Sequence, residues 1–361
     1  MTAAVTMGGP GHHAARMGSA GQLMAVAALA LALAAFLSLS IGSTGITLSA
    51  LPRVIGSLAS GHGDAATARE QLVLIDIRLP RLLLGAFVGA ALAVAGAMMQ
   101  GMFRNPLADP GLIGVSSGAA LAAVATIALG NSLAAPWTRA FGVYALPVSA
   151  FCGGFAATAA LVLLVARQGQ LATSTLLLAG IALGAFATAL TGLIAFASDD
   201  RELRDLTLWM LGSLSGASWP KVLAVAPFAL IVAFVLPSLT RALNGLLLGE
   251  AEAFHLGVDV ERVKRLIALT TAAAVGAAVA VAGVVGFVGI VVPHLVRIIA
   301  GPDHRVVLPM SALLGAALVL GADVVARMAL RPAELPLGVV MAIIGAPIFL
   351  HMVVRRGMGG S

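Results

Sequence analysis

Gly114-Val115-Ser116-Ser117-Gly118 matches G-x-S-x-G, a pattern that sets a serine nucleophile on a sharp turn. Acyl transfer at Ser116 would need a histidine at comparable depth to take the hydroxyl proton. Only His294 and His351 lie in or near later apolar runs, both expected toward cytoplasmic ends. The competing reading is that Gly and Ser let a helix start pack tightly after the turn through Pro106 and Pro110. Metal chemistry has less to work with. H-E-x-x-H is absent and no two histidines stand at i, i+4, so no metal site is expected. His62 and His304 are expected in solvated loops, and His294 packed and hydrogen-bonded. Met98, Met99 and Met102 are expected to fill gaps.

Nucleotide chemistry is missing as well. A P-loop needs a lysine after glycine to reach phosphates. The chain has two lysines, Lys221 after Pro220 and Lys264 after Val263, so it does not bind ATP that way. Ionisable residues deep in the apolar runs, which a proton-coupled carrier would use, are nearly absent, Asp323 being the main exception. Either the protein is passive or a partner supplies the work. One segment looks built for a partner. LGEAEAFHLG (248–257), between two very apolar stretches, sets two glutamates, a phenylalanine and a histidine on a short helical pattern. Lying on lipid is the alternative, but anionic headgroups repel Glu250 and Glu252, which favours docking on a protein.

These residues are positioned by a chain that lipid solvates. Of 361 residues 60% are hydrophobic and 10% charged, with a mean hydropathy of +1.05; soluble domains carry about 25% charged residues. The net charge of +6 is scattered between apolar runs, with three Trp and one Tyr for stacking, so nucleic acid is not the partner. Cys152 is alone in an apolar run and is expected to be a small buried hydrophobe. Residues 1–20 are expected to form a mobile cytoplasmic tail. The run from Leu23 to Leu39 exceeds a usual signal-peptide core and reads as an uncleaved first span.

Apolar stretches at 22–41, 82–102, 111–130, 143–166, 175–197, 219–239, 266–285, 286–300, 309–328 and 336–354 predict an all-α, polytopic membrane protein of ten helices. Residues 21–356 form one domain whose Gly/Ala-rich spans, such as GAFVGAALAVAGAMM (85–99), allow close helix approach. An even count puts both termini on one side. Arg241, Arg262, Lys264 and Arg265 in the 240–265 loop, with Arg355 and Arg356, make that side cytoplasmic. Val88–Gly96 (VGAALAVAG) returns as Val275–Gly283 (VGAAVAVAG) on spans expected to run oppositely, an inverted repeat of the transporter kind.

RLPRLLLGAFVGAALAVAGAMMQGMFRNPLADPGLIGVSSGAAL (78–121), LLLAGIALGA (176–185), LGEAEAFHLGV (248–258), GFVGIVVPHLVR (286–297), DHRVVLP (303–309) and ELPLGVVMAIIGAPIFL (334–350) together resemble one family. It is the FecCD/BtuC-type permease subunits of ATP-binding-cassette importers for iron–siderophores, haem and cobalamin. The resemblance implies a BtuC-like fold in the bacterial inner membrane. It also implies a second copy of the chain, two ATPase subunits that bind ATP, and a periplasmic binding protein. No cofactor of its own is implied. Glu250, Ala251, Glu252, Phe254, Leu256 and Gly257 resemble the cytoplasmic coupling helix. Arg78, Arg81 and Arg327 match rim arginines that pair bidentately with carboxylates of the binding protein; snorkelling is the alternative for Arg78 and Arg81. Thr173 and Ser174 match gate positions, and equally an N-cap before an apolar run. FRNPLADPGLIGVSSGAA and WMLGSLSGASW look most like haem-importer permeases, which implies haem as cargo, then an iron–siderophore, then cobalamin.

Overall fold

In hydrocarbon every backbone N–H and C=O must bond within its own segment, so apolar runs become helices. The computed structural model describes residues 10–42, 50–60, 64–167 and 171–358. In chain order the helices that build the bundle are α1 (Pro10–Ser40), α2 (Leu79–Met102), α3 (Val115–Leu129), α4 (Ala145–Ala166) and α5 (Thr173–Ala197). They continue with α6 (Trp219–Leu248), the short α7 (Glu250–His255), α8 (Val260–Ala282), α9 (Val288–Ala300), α10 (His304–Met328) and α11 (Leu337–Met358). Among the described residues eight helices are long and apolar enough to cross a membrane, and α3 and α9 are shorter apolar ones. That makes the ten expected.

Element ends have local causes. Pro80 opens α2, where a missing N–H costs nothing, after a π-helical stretch over Leu72–Arg78. Asp109, Asp259 and Asp303 cap helix starts by accepting from the N–H groups of Gly111, Arg262 and Arg305. The first helix starts earlier than expected. Helix α1 runs back to Pro10, so the expected tail of 1–20 is helical from that residue on, and residues 1–9 lie outside the described residues.

The repeat is visible in the packing. Val88–Gly96 lies on α2 and Val275–Gly283 spans the end of α8, and these are the two most deeply enclosed spans. Helix α2 packs on α9 and α10 from the second half of the chain, while α8 packs on α3 and α4 from the first. The two run oppositely. Arg81 near the start of α2 meets Asp323 near the end of α10, whereas Lys264 near the start of α8 lies at the end carrying α7. Close approach needs glycine. A Cβ on Gly96 would overlap the Gly289 backbone, and one on Gly89 the Gly315 backbone, so α2 touches α9 and α10 almost backbone to backbone.

Candidate functional site

Helix α7 exists because two glycines turn the chain sharply at its ends, Gly249 at φ 127° and Gly257 at φ 83°. Ala253 pins it, fully buried against Gly245. The rest of its surface is open: Ala251 and Glu252 are exposed, Phe254 is 68% exposed and Leu256 65%. Apolar side chains this exposed, on six residues between two spans, offer a surface for burial against another body.

Glu250 turns back into its own chain. Its Oε2 lies 2.6 Å from Lys264 Nζ, and its Oε1 accepts from Thr173 Oγ1 at 3.1 Å. Burial alone would raise the Glu250 pKa; the hydrogen bond and charge of Lys264, then Thr173 and Arg104, outweigh it and hold the carboxyl below its ordinary value. Lys264 also donates to the Leu171 carbonyl at 2.8 Å, and Glu261 accepts from the Leu171 N–H at 3.0 Å. The first turn of α5 is thereby clasped to α7 and α8. Helix capping is not what Thr173 does: the N-cap of α5 is Ala172, which makes no side-chain bond. Ser174, one residue on, is exposed.

At the opposite end the arginines correct an expectation. Arg78, Arg81 and Arg327 are buried rather than displayed on a rim. Arg81 donates to both oxygens of Asp323 (2.8 Å at the shortest) and at 2.8 Å to Glu334 Oε2. Arg327 Nε lies 3.1 Å from Asp323 Oδ2, and its other nitrogens donate to Ile41 O, Ser38 O and Ser38 Oγ. Arg78 donates to Leu39 O. A guanidinium buried in apolar surroundings needs carboxylate or carbonyl partners, and here the chain itself supplies them. These cations bolt the C-terminal end of α1 onto α2 and α10.

Other expectations fall into place or shift. Gly114, at φ 77°, begins α3 and accepts from Ser117 Oγ, which is the helix-start role. Met98, Met99 and Met102 are buried gap fillers. His304 is fully buried at the start of α10, not solvated, and Cys152 is exposed on α4, not buried. His62 lies outside the described residues. Among the described residues no three His, Cys, Asp or Glu side chains converge to hold a metal. Lys264 joins the site although the sequence places it among loop cations; one of only two lysines, at a span entrance, is a signal in itself.

Ten spans, with the α2 and α8 segments running oppositely and a short exposed helix between the sixth and seventh, have the architecture of a membrane transport subunit. The FecCD transport family model matches residues 30–355, and the chain belongs to that family. Among its relatives, the hemin transport system permease protein of Yersinia pestis is 45% identical over 79% of this chain and 84% of its own. The cobalamin import system permease protein of Halobacterium salinarum is 44% identical over 79% of this chain and 74% of its own. A solved ABC transporter in an inward-facing conformation, assigned to the metal-chelate type, superposes with a TM-score of 0.79 and 34% identity, covering 93% of this chain and 99% of that one. The protein is thus a multi-pass permease of the ABC importer family.

Proposed function

We propose that this chain pairs with a second copy in the bacterial inner membrane and passes haem inward, driven by ATP hydrolysed on two partner subunits. The end carrying α7 faces the cytoplasm, as do both termini. The observation that carries the reading is α7 itself, whose exposed Phe254 and Leu256 suit a groove in a soluble ATPase while Glu250 stays tied to Thr173 and Lys264. Displacement of α7 would thus reach the first turn of α5, where Thr173 and the exposed Ser174 line a cytoplasmic gate between the two copies. With Arg78, Arg81 and Arg327 committed internally, the exposed Arg201, Arg204 and Arg331 of the other end are the groups that face a substrate-binding protein.

Haem is favoured by the likeness of the 103–120 and 209–219 stretches to haem-importer permeases, and by the Yersinia pestis relative. Cobalamin is the second reading because the Halobacterium salinarum relative is nearly as similar. Proteoliposomes holding the permease with its ATPase and binding protein test this: ATP-dependent uptake of haemin, undiminished by excess cobalamin, is expected. Uptake of cobalamin alone would replace the cargo, and uptake of either without any ATPase would remove the ABC reading.

A further inference from the structure

Arg297 on α9 reaches back to α2. One terminal nitrogen donates to Gln100 Oε1; the other donates to Ala97 O at 2.9 Å and lies 3.4 Å from His304 Nε2. His304 Nδ1 is 2.9 Å from Asn244 Oδ1, so Nδ1 holds the proton and Nε2 turns an acceptor toward the arginine. Every one of these partners is neutral. Among the described residues no carboxylate comes within ion-pair distance of Arg297, whereas the comparably enclosed Arg81 and Arg327 share Asp323. Hydrogen bonding is met only in part, and charge is not met by any of them. Carbonyls near the C-terminal end of α2 offset part of it.

The guanidinium has five N–H donors, and the neutral partners leave Nε and part of one terminal nitrogen unspent. Beside it is an open cavity of about 390 Å³ lined by the polar Gln100, Arg104, His294 and Arg297 and by Pro106, Leu247 and Ile298. Arg104 is exposed and takes φ 47°, a backbone conformation uncommon outside glycine, in the turn just after α2. Glu250 acts on Arg104 through space, but is already paired with Lys264. Two guanidiniums therefore border one cavity with no carboxylate of their own. Exposed apolar side chains Ile298, Ile299 and Leu295 continue from it along α9, and the cavity lies where α2, α6 and α9 all end.

We infer that this cavity binds a phosphate-group anion between Arg297 and Arg104. Arginine's planar donors fit phosphate oxygens in pairs. The same chemistry could come from a lipid headgroup, whose acyl chain would follow Leu247 and Ile298, or from a free phosphate.

Thermal unfolding of the full chain in a neutral detergent tests it, with dioctanoyl phosphatidylglycerol, dioctanoylglycerol or inorganic phosphate added at matched ionic strength. Saturating phosphatidylglycerol is expected to raise the wild-type Tm by about 5 °C. The concentration needed should rise about tenfold in Arg297→Gln and in Arg104→Gln, each of which removes a charge-assisted hydrogen bond. Protection by the phospholipid alone assigns the headgroup; equal protection by inorganic phosphate assigns a free anion. No protection, equal protection by dioctanoylglycerol, or undiminished protection of both variants would overturn the site. If Arg297→Gln does not fold, the exposed Arg104→Gln decides alone.

Discussion

Arg81 and Arg327, with 10% and 7% of their side chains exposed, share Asp323, which is 1% exposed. At the far end of the bundle Lys264, 3% exposed, pairs with Glu250, whose side chain is 40% exposed. In the first cluster both signs are buried and the partners sit on long spans, so separating them would bare charges in an apolar setting. In the second only the cation is buried. Its partner stands on a six-residue helix between two glycine turns, and can follow that helix outward with water replacing lost contacts. The first arrangement resists movement, and the second tolerates it. A permease driven from one side needs both, a fixed end and an end that yields.

The sharpest way to break this comparison is Asp323→Asn. It leaves Arg81 and Arg327 with Glu334 as their remaining acid, and breaking a buried pair by removing one partner costs about 3–5 kcal/mol. The expected result is a large fall in Tm and in recovered protein, measured in detergent without any partner. A variant that melts like wild type would mean that the cluster holds nothing together.

The second largest effect is expected in assembly rather than folding. Phe254→Ala with Leu256→Ala should leave the Tm of the isolated chain unchanged, because both side chains are already exposed. Loss of two apolar anchors should weaken capture of the ATPase subunit by about 2 kcal/mol or more. Copurification at graded protein concentration reads it. Unchanged capture would leave α7 as a surface helix.

How far these contrasts could be read in the sequence differs from one residue to the next. The ten spans are readable because each is a predominantly apolar run with few charges, and α7 because Glu250, Glu252 and Phe254 stand out between two such runs. The arginine cluster was misplaced. Arg81 and Asp323 are 242 positions apart, and a charge at a span end looks the same whether it faces a partner or a distant carboxylate. In sequence Lys264 is one loop cation beside Arg262 and Arg265; each residue turns about 100° around a helix, so neighbours in a basic run can face solvent and core by turns. Thr173 before an apolar run has the pattern of an N-cap, yet the chain turns one residue earlier and frees the hydroxyl for Glu250.

A third test separates transmission from support. Lys264→Met removes the ion pair but keeps an unbranched side chain in the buried site. Because Glu250 can turn to solvent, the stability cost should be about 1–2 kcal/mol, well below that of Asp323→Asn. In the assembled complex, ATP hydrolysis should continue while uptake per ATP falls several-fold, since α7 no longer pulls on the first turn of α5. Uptake and hydrolysis falling in equal proportion would mean a general loss of structure and no clasp.

The smallest effect is in pH. The Glu250 carboxyl is held below its ordinary value of 4.5, because Lys264 and Thr173 together outweigh the penalty of burial. A carboxyl whose folded pKa is depressed adds stability that is fully present above its unfolded pKa and is lost as pH falls through its folded one. The group is partly exposed, so the contribution is at most about 1 kcal/mol. The measurement is the Tm of wild type minus that of Glu250→Gln across a pH series. The difference should stay constant from neutral pH down to the ordinary carboxylate range and shrink only below it, while Asp323→Asn stays destabilised throughout neutral pH. A difference that vanishes already near pH 6 would place the Glu250 pKa above its ordinary value. That would mean the carboxylate is not paired with Lys264 in solution, and the contrast between a fixed end and a yielding one would lose its second half.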